Sequence, residues 1–239
     1  AQGGYAVRMV NPEGGAAPGT ASPAPAGSVI GFSPDGTRLA YLVRVASGIL
    51  CNPPEVSHLY VSAADGSRAM RLTDDLAMVT GASGSPDGRH IVVSFRDRAH
   101  GTSIGVVATD GSGMRVLDLG GPADSATWHP DGRLILFWGL RDTHQAIYTV
   151  SADDPTDIRG VVGHDVVASA SGVQPEAAWS PDGRWIAYVR HTTPNSSETS
   201  LHVVAVDGSG DRVLPVTSHE SLPMRPRWSP DGTRILAKA

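Results

Sequence analysis

Histidine and carboxylate side chains are the groups of this sequence that could do chemistry, and several of them lie between apolar runs. Imidazole is a common metal ligand that changes charge near neutral pH, and paired carboxylates can act as acid and base on a sugar. We expect these side chains to share one face of the fold as a binding surface, with His164 and His219 as candidate metal ligands. The full candidate set is His100, His144, His164, Asp165, Glu176, His191, His219 and Glu220.

No catalytic motif accompanies these candidates. Residues 81–85 (GASGS) lack the closing glycine of a nucleophile elbow. Residues 207–211 (DGSGD) lack the later glycine and the glutamate of a calcium loop. The single cysteine, Cys51, excludes an intrachain disulfide. We therefore assign no catalytic residue and no cofactor, apart from the divalent metal that the histidines could hold.

A turn that recurs five times organises the elements that must position these side chains. Four copies have the sequence Ser-Pro-Asp-Gly, and the third copy has His129 in place of the serine. Proline presets φ, aspartate bonds nearby amides, and glycine accepts a positive φ. A short apolar run follows each turn, as in residues 91–95 (IVVSF), which is typical of a strand buried on both faces. The copies begin at Ser33, Ser85, His129, Ser180 and Ser229.

A second turn, Asp-Gly-Ser, divides the rest of each repeat. It begins at Asp65, Asp110 and Asp207, and Asp153-Asp154 is a weaker copy. Each repeat then holds four antiparallel strands, A to D, in roughly 40 to 50 residues, which is the pattern of a propeller blade. We predict an all-β, five-bladed β-propeller as a single domain over residues 1–239. The blades are expected at residues 28–73, 74–119, 120–162, 163–216, and 217–239 combined with 1–20.

The fifth repeat stops after strand B, which indicates how the ring closes. Residues 5–10 (YAVRMV) have a strand pattern, and we expect them to complete the C-terminal half-blade and remove an open sheet edge. The alternative is that the sequence is an excised fragment of a larger ring. Strand A also ends in a bulky residue in four repeats, which we expect to fill the space between blades. These residues are Phe32, Trp128, Trp179 and Trp228.

Composition limits the partner class. The 239 residues carry a net charge of −5 without a basic block, which argues against nucleic acid as the main partner. No apolar run approaches membrane-spanning length, so we expect no membrane insertion of this chain, and a monomer is predicted. We expect the start at Ala1 to reflect a removed signal segment or a trimmed chain.

The ten residues from Trp179 to Tyr188 (WSPDGRWIAY), with the Asp-Gly-Ser turn downstream, resemble the WD-like repeats of the TolB-type propeller family. The resemblance covers residues 28–239, with departures at Gly84, His129 and Asp153-Asp154 and with five blades where six are typical. It implies a bacterial, secreted or periplasmic domain that acts as a non-catalytic platform for proteins, peptides or glycans. Such propellers also occur beside peptidase domains, as sensor domains of membrane proteins and as polysaccharide lyases.

The two ends of the predicted strands differ in their connections. The A-to-B and C-to-D turns are short and uniform, whereas the B-to-C and D-to-A connections are long and varied. Binding residues concentrate on variable loops that a rigid scaffold carries, so the functional surface is predicted at the second end. The B-to-C connections are predicted at residues 45–57, 96–102, 140–145 and 191–200, and the D-to-A connections at 74–83, 120–125, 163–175 and 217–225.

The favoured function is a non-catalytic, extracytoplasmic binding module that presents the variable loops and the central channel to a protein or peptide, or to a glycan. One alternative is a glycan-active lyase or hydrolase with a metal-assisted site at the channel mouth. Another is an accessory or sensor propeller of a larger peptidase or membrane kinase. The fold alone does not choose among these functions.

Overall fold

Strands account for every regular element that the structure describes. The computed structural model describes residues 27–46, 55–73, 76–77, 79–97, 101–141, 144–162, 177–191, 199–215 and 226–237. The chain divides into two compact units, Ala1–Val116 and Leu117–Ala239, each with sheets of its own. In the described part of the chain, no helix is long and apolar enough to cross a membrane.

The first unit contains two antiparallel sheets, one for each of the first two repeats. The first sheet has the order β1 (Gly27–Phe32), β2 (Arg38–Ala46), β3 (Glu55–Ala63), β4 (Met70–Arg71), and β5 (Leu76–Ala77) also pairs with β3. The second sheet has the order β6 (Val79–Gly84), β7 (His90–Asp97), β8 (Gly101–Ala108), β9 (Met114–Val116). The consecutive order confirms the predicted succession of strands A to D.

The second unit repeats this arrangement twice and then begins it a third time. Its first sheet has the order β10 (Ala123–Trp128), β11 (Leu134–Arg141), β12 (His144–Ser151), β13 (Ile158–Val162). Its second has the order β14 (Ala177–Trp179), β15 (Trp185–His191), β16 (Thr199–Ala205), β17 (Arg212–Leu214). A two-stranded sheet of β18 (Arg227–Trp228) and β19 (Ile235–Leu236) corresponds to the half-repeat.

The B strands β7, β11 and β15 are buried on both faces over most of their length, as their apolar sequences predict. In β7, every residue from Ile91 to Phe95 is at most 4% exposed. The outermost strand of the same sheet, β9, is exposed throughout. Because full burial of one Val or Ile side chain contributes about 1.5–3 kcal/mol, the inner strands supply most of the stabilisation of each sheet.

Each core lies between consecutive sheets of one unit. In the first unit, Leu59 and Val61 of β3 belong to the same buried cluster as Ile91, Val93 and Phe95 of β7. In the second unit, a cluster joins the sheet of β10–β13 to the sheet of β14–β17. A repeat that cannot bury both its faces alone is stabilised by its neighbour in this way.

The expectation that bulky residues end strand A and fill the space between repeats is met in part. Trp128 and Trp179 are buried, with 8% and 9% of their surface exposed. Phe32 is instead 57% exposed, because the core of its unit lies between the two sheets and does not include it. The expectation is therefore wrong for Phe32.

Closure of a ring is outside what the structure describes. Residues 5–10, which are predicted to complete the half-repeat, lie outside the described residues. Within the described residues, β19 pairs with β18 alone. The closed five-bladed ring and the single domain over residues 1–239 therefore stay predictions.

Candidate functional site

The antiparallel order places the two kinds of connection at opposite ends of each sheet. We call the end that carries the A-to-B and C-to-D turns the turn end, and the end that carries the B-to-C and D-to-A connections the loop end. In the sheet of β10–β13, for example, residues 129–133 and 152–157 connect strands at the turn end. Residues 142–143 connect β11 to β12 at the loop end.

At the turn end, the polar side chains of the repeated turn bind one another. The Ser180 hydroxyl donates to Oδ1 of Asp182 over 2.6 Å, and that oxygen also accepts the amide of Arg184 over 3.0 Å. The amide of Trp185 donates to the Ser180 oxygen over 2.9 Å. The turns that begin at Ser33, Ser85 and Ser229 contain the same three contacts.

These hydrogen bonds keep the turn aspartates charged. The hydroxyl of Ser33, followed by the amide and hydroxyl of Thr37, lowers the pKa of Asp35 to about 2. The equivalent contacts from Ser229 and Thr233 lower the pKa of Asp231 to about 2. A carboxylate held in this way cannot serve as a general acid near neutral pH, which supports a structural role for the turn end.

His129 replaces the serine in the third turn and links two repeats of the second unit. Its Nε2 lies 3.0 Å from the carbonyl oxygen of Gly183, and its Nδ1 lies 2.6 Å from Oδ1 of Asp131. Since the carbonyl can only accept, Nε2 carries the hydrogen of that bond. The ring also contacts Trp179 edge-on, with centroids 4.6 Å apart. His129 therefore joins two sheets and does not face an open site.

The structure places two of the candidate binding residues by their backbone. His144 is the first residue of β12 and pairs with Arg141, and His191 is the last residue of β15 and pairs with Thr199. Both lie at the loop end, where they were expected. The other candidates lie outside the described residues: His100, His164, Asp165, Glu176, His219 and Glu220.

A metal site among these candidates stays a prediction. Both candidate ligands, His164 and His219, lie outside the described residues. Within the residues that the structure does describe, no group of three or more His, Cys, Asp or Glu side chains could hold a metal ion.

All four predicted B-to-C loops are shorter than expected, and two of them are reduced to three residues or fewer. Asp97 pairs with Gly101, and Arg141 pairs with His144, so three and two residues, 98–100 and 142–143, connect those strands. The polar residues at these positions favoured a loop. In the structure, backbone hydrogen bonds between the strands continue through them, because strand pairing tolerates polar side chains at the end of a sheet.

A polar network in the fourth repeat was not predicted. The Ser200 hydroxyl lies 2.9 Å from Nε2 of His202, and Nδ1 of His202 lies 3.1 Å from Oδ1 of Asp211. The other oxygen of Asp211 accepts the hydroxyl of Tyr188 over 2.9 Å. Burial, followed by this hydrogen bond, raises the pKa of Tyr188, so its hydroxyl keeps its hydrogen.

The sequence did not indicate this network, because Ser200 was predicted in the connection at residues 191–200. In the structure β16 begins at Thr199, and alternate residues of a strand share a face, so this extension places Ser200 beside His202. Asp211 approaches only because the turn at residues 206–210 returns the chain against β16. The sequence pattern predicts that turn, but it does not indicate where the carboxylates of the turn would point.

Comparison with known proteins identifies the fold. No family model matches the chain. An uncharacterized protein of Agrobacterium fabrum is 28% identical over 155 residues, which are 64% of this chain and 48% of the relative. The chain thus spans about half the length of that curated relative.

Solved structures extend this likeness over most of the chain. TolB from Acinetobacter baumannii has a TM-score of 0.62 and 19% identity, over 87% of this chain and 47% of that one. An oligogalacturonate lyase in complex with manganese has a TM-score of 0.67 and 13% identity, over 91% and 63%. The β-propeller domain of the trilobed protease from Pyrococcus furiosus has a TM-score of 0.58 and 15% identity, over 88% and 63%. With the repeated four-stranded sheets, these likenesses show that the chain has the TolB-like β-propeller fold.

Proposed function

We propose that this propeller is an extracytoplasmic module that binds a protein or peptide partner through the loop end of its sheets. The observation that carries the proposal is the contrast between the two ends. At the turn end, the repeated serine and aspartate groups bind each other, so that they have little capacity left for a ligand. At the loop end, the connections differ in length and sequence from repeat to repeat, as binding loops on a rigid scaffold do.

The candidate residues divide into two sets under this proposal. His144 and His191 lie at the loop end by their backbone positions. The remaining candidates come from predicted connections at the same end, except Glu176, which directly follows the connection predicted at residues 163–175. The closed five-bladed ring, with residues 5–10 in the last blade, and the extracytoplasmic location are parts of the same proposal.

A peptide-display selection tests which end binds. Peptides selected on the whole chain would be measured by surface plasmon resonance against a loop-end variant and a turn-end variant. The loop-end variant carries alanine at His144, His164, His191 and His219. The control carries alanine at the exposed turn residues Arg89, Arg133 and Arg184.

We expect the loop-end variant to weaken binding at least about tenfold, which corresponds to about 1.4 kcal/mol, and the turn-end variant to change it less than twofold. Loss of binding in the turn-end variant alone would overturn the proposal. Thermal unfolding of both variants would establish that each is folded.

A metal-assisted, glycan-active site is the second candidate function. The fold likeness to a lyase structure that holds manganese motivates the test. If His164 and His219 bind Mn²⁺ in this chain, saturating Mn²⁺ raises Tm, and the His164→Ala/His219→Ala variant shows no such rise. An unchanged Tm in the original chain removes this candidate.

A further inference from the structure

Ser200, His202 and Asp211 are linked by hydrogen bonds in the order hydroxyl, imidazole, carboxylate. This is the order in which an imidazole activates a serine hydroxyl. The hydroxyl lies 2.9 Å from Nε2 of the imidazole, and Nδ1 lies 3.1 Å from the carboxylate. Serine nucleophiles use this connectivity on unrelated folds and in different chain orders. We propose that Ser200 is a nucleophile and that the loop end of the fourth sheet carries an acyl-transfer site for small carboxylic esters.

The partners of His202 fix the tautomer that this chemistry needs. A carboxylate accepts hydrogen bonds, so Nδ1 donates to Asp211 and Nε2 is left as an acceptor. The Ser200 hydroxyl therefore donates to Nε2, at 2.9 Å, in preference to the backbone oxygen of Arg190 at 3.4 Å. An imidazole in this state can take the serine proton as a general base.

The surrounding contacts hold the imidazole in place. His202 is 6% exposed, and its ring centroid lies 5.0 Å from that of the buried Tyr188. The Tyr188 hydroxyl binds the second oxygen of Asp211, so both oxygens of that carboxylate are engaged. Asp211 and Tyr188 are therefore positioning residues, whereas Ser200 and His202 would contact the reacting atoms.

The position of Ser200 in the sheet supplies access and a cation. Ser200 is partly exposed and lies one residue pair from the end of the ladder at His191 and Thr199. Its direct cross-strand partner is Arg190, and such partners project to the same face with Cβ atoms about 4.5–5.5 Å apart. The Arg190 guanidinium also interacts electrostatically with Tyr188 of the same network. It is therefore placed to stabilise an oxyanion that develops beside Ser200.

The proposed reaction is balanced without a cofactor. Ser200 Oγ forms a bond to the ester carbonyl carbon while its proton passes to Nε2 of His202. The ester C–O bond then breaks, and the leaving alcohol takes that proton. Water attacks the acyl-serine with loss of a proton to His202, and the carboxylic acid leaves as Ser200 regains its hydrogen.

A fluorophosphonate probe on the full chain, with the modified residue located by mass spectrometry, tests the nucleophile. Ser209 is the internal control, because its hydroxyl donates to Asp207 over 2.6 Å and contacts no imidazole of the residues that the structure describes. We expect label on Ser200 and none on Ser209. Ser200→Ala should abolish labelling, and His202→Gln should slow it about 10²-fold or more, the usual contribution of a general base.

The positioning role of Asp211 is tested separately, by the pH dependence of the labelling rate. Asp211→Asn should slow labelling and shift the pH dependence of the rate, because an amide no longer favours hydrogen on Nδ1. Arg190→Met should reduce turnover of p-nitrophenyl acetate more than it reduces labelling. Absence of label on Ser200, or labelling unaffected by His202→Gln in a variant with unchanged circular dichroism, would overturn the proposal. The outcome is independent of partner binding at the loop end.

Discussion

Nε2 of His129 in the third repeat lies 3.0 Å from the carbonyl oxygen of Gly183 in the fourth. The first unit has an equivalent contact, where the Arg38 guanidinium donates to the carbonyl of Gly88 over 2.8 Å. In both cases a group of one repeat binds the turn glycine of the next. The turn therefore has two functions, since it closes a hairpin and it joins neighbouring sheets.

The contact between His129 and Gly183 predicts an unusually costly glycine substitution. A Cβ at Gly183 would overlap the His129 ring, and the residue has a φ of +71°. The matched control is Gly232→Ala in the same unit, with a φ of +69° and ordinary contact at 3.7 Å to Pro181. Both variants bear the left-handed backbone cost of about 1–2 kcal/mol, and only Gly183→Ala adds the clash.

Urea unfolding should show Gly183→Ala losing about 1–3 kcal/mol more than Gly232→Ala, the usual cost of overpacking. Adding His129→Ser, which restores the residue of the other turns, should remove most of that difference. Equal losses for the two glycine variants would show that the His129 contact has no energetic consequence.

The low pKa of Asp35 should depend on Ser33. The folded-state pKa is about 2, below the ordinary aspartate pKa of 3.8, chiefly because the Ser33 hydroxyl donates to the carboxylate. A depressed pKa contributes stability above the unfolded value, and this contribution is lost as pH falls from about 4 to about 2. Carboxyl ¹³C titration by NMR should find a higher pKa for Asp35 in Ser33→Ala.

Two further variants rank the hydrogen bonds on Asp35. Thr37→Val should raise its pKa less than Ser33→Ala does, because the Thr37 hydroxyl is a smaller cause. Thr37→Ser keeps a hydroxyl and should leave the pKa near 2. A Ser33→Ala titration curve identical to the original would contradict this account.

The third prediction concerns an indole hydrogen bond between repeats and its contribution to stability. Trp228 donates through Nε1 to the carbonyl of Ala178 over 3.1 Å. Trp228→Phe keeps an aromatic ring but removes the donor, so we expect a loss of about 0.5–1.5 kcal/mol in the free energy of unfolding. The control is Trp185→Phe, because Trp185 contacts the Arg212 guanidinium through its ring face, 5.0 Å from the centroid.

Chemical denaturation of both tryptophan variants provides the measurement. The control should change stability by less than about 1 kcal/mol, since a cation–π contact survives with a phenyl ring. A larger loss in Trp185→Phe than in Trp228→Phe would mean that the indole hydrogen bond does not stabilise the junction of these repeats.

The repeated turns and the apolar runs that follow them made the order of the strands predictable from the sequence. Each Pro-Asp-Gly turn fixes where one strand ends and the next begins, and the apolar run after it identifies the buried strand, as β7 and β11 show. Phe32 could not be assigned in this way, because its burial depends on which sheet faces it and not on its neighbours in sequence. The same repetition gave the four-stranded order without any long-range information.

The candidate site was less accessible to sequence reasoning. Histidines in connections were visible as residue types, but their convergence depends on loop conformations that no local rule fixes. The network around His202 was missed for a different reason. Its partners Tyr188 and Asp211 come from a different strand and a turn, and they meet only through sheet pairing.

The C-terminal half-repeat supplies the last prediction. Within the described residues, β19 pairs with β18 alone, and Leu236 is 72% exposed. An open edge with an exposed leucine favours a further strand, which we propose to be residues 5–10. Val7→Pro removes a backbone donor from that strand, so it should lower the free energy of unfolding by about 1–3 kcal/mol. Ala24→Pro, between Pro23 and Pro25 and outside the predicted blades, is the matched control and should change it by less than about 0.5 kcal/mol. Equal effects of the two prolines would show that residues 5–10 do not complete this sheet, and the half-repeat would then require its missing strands from elsewhere.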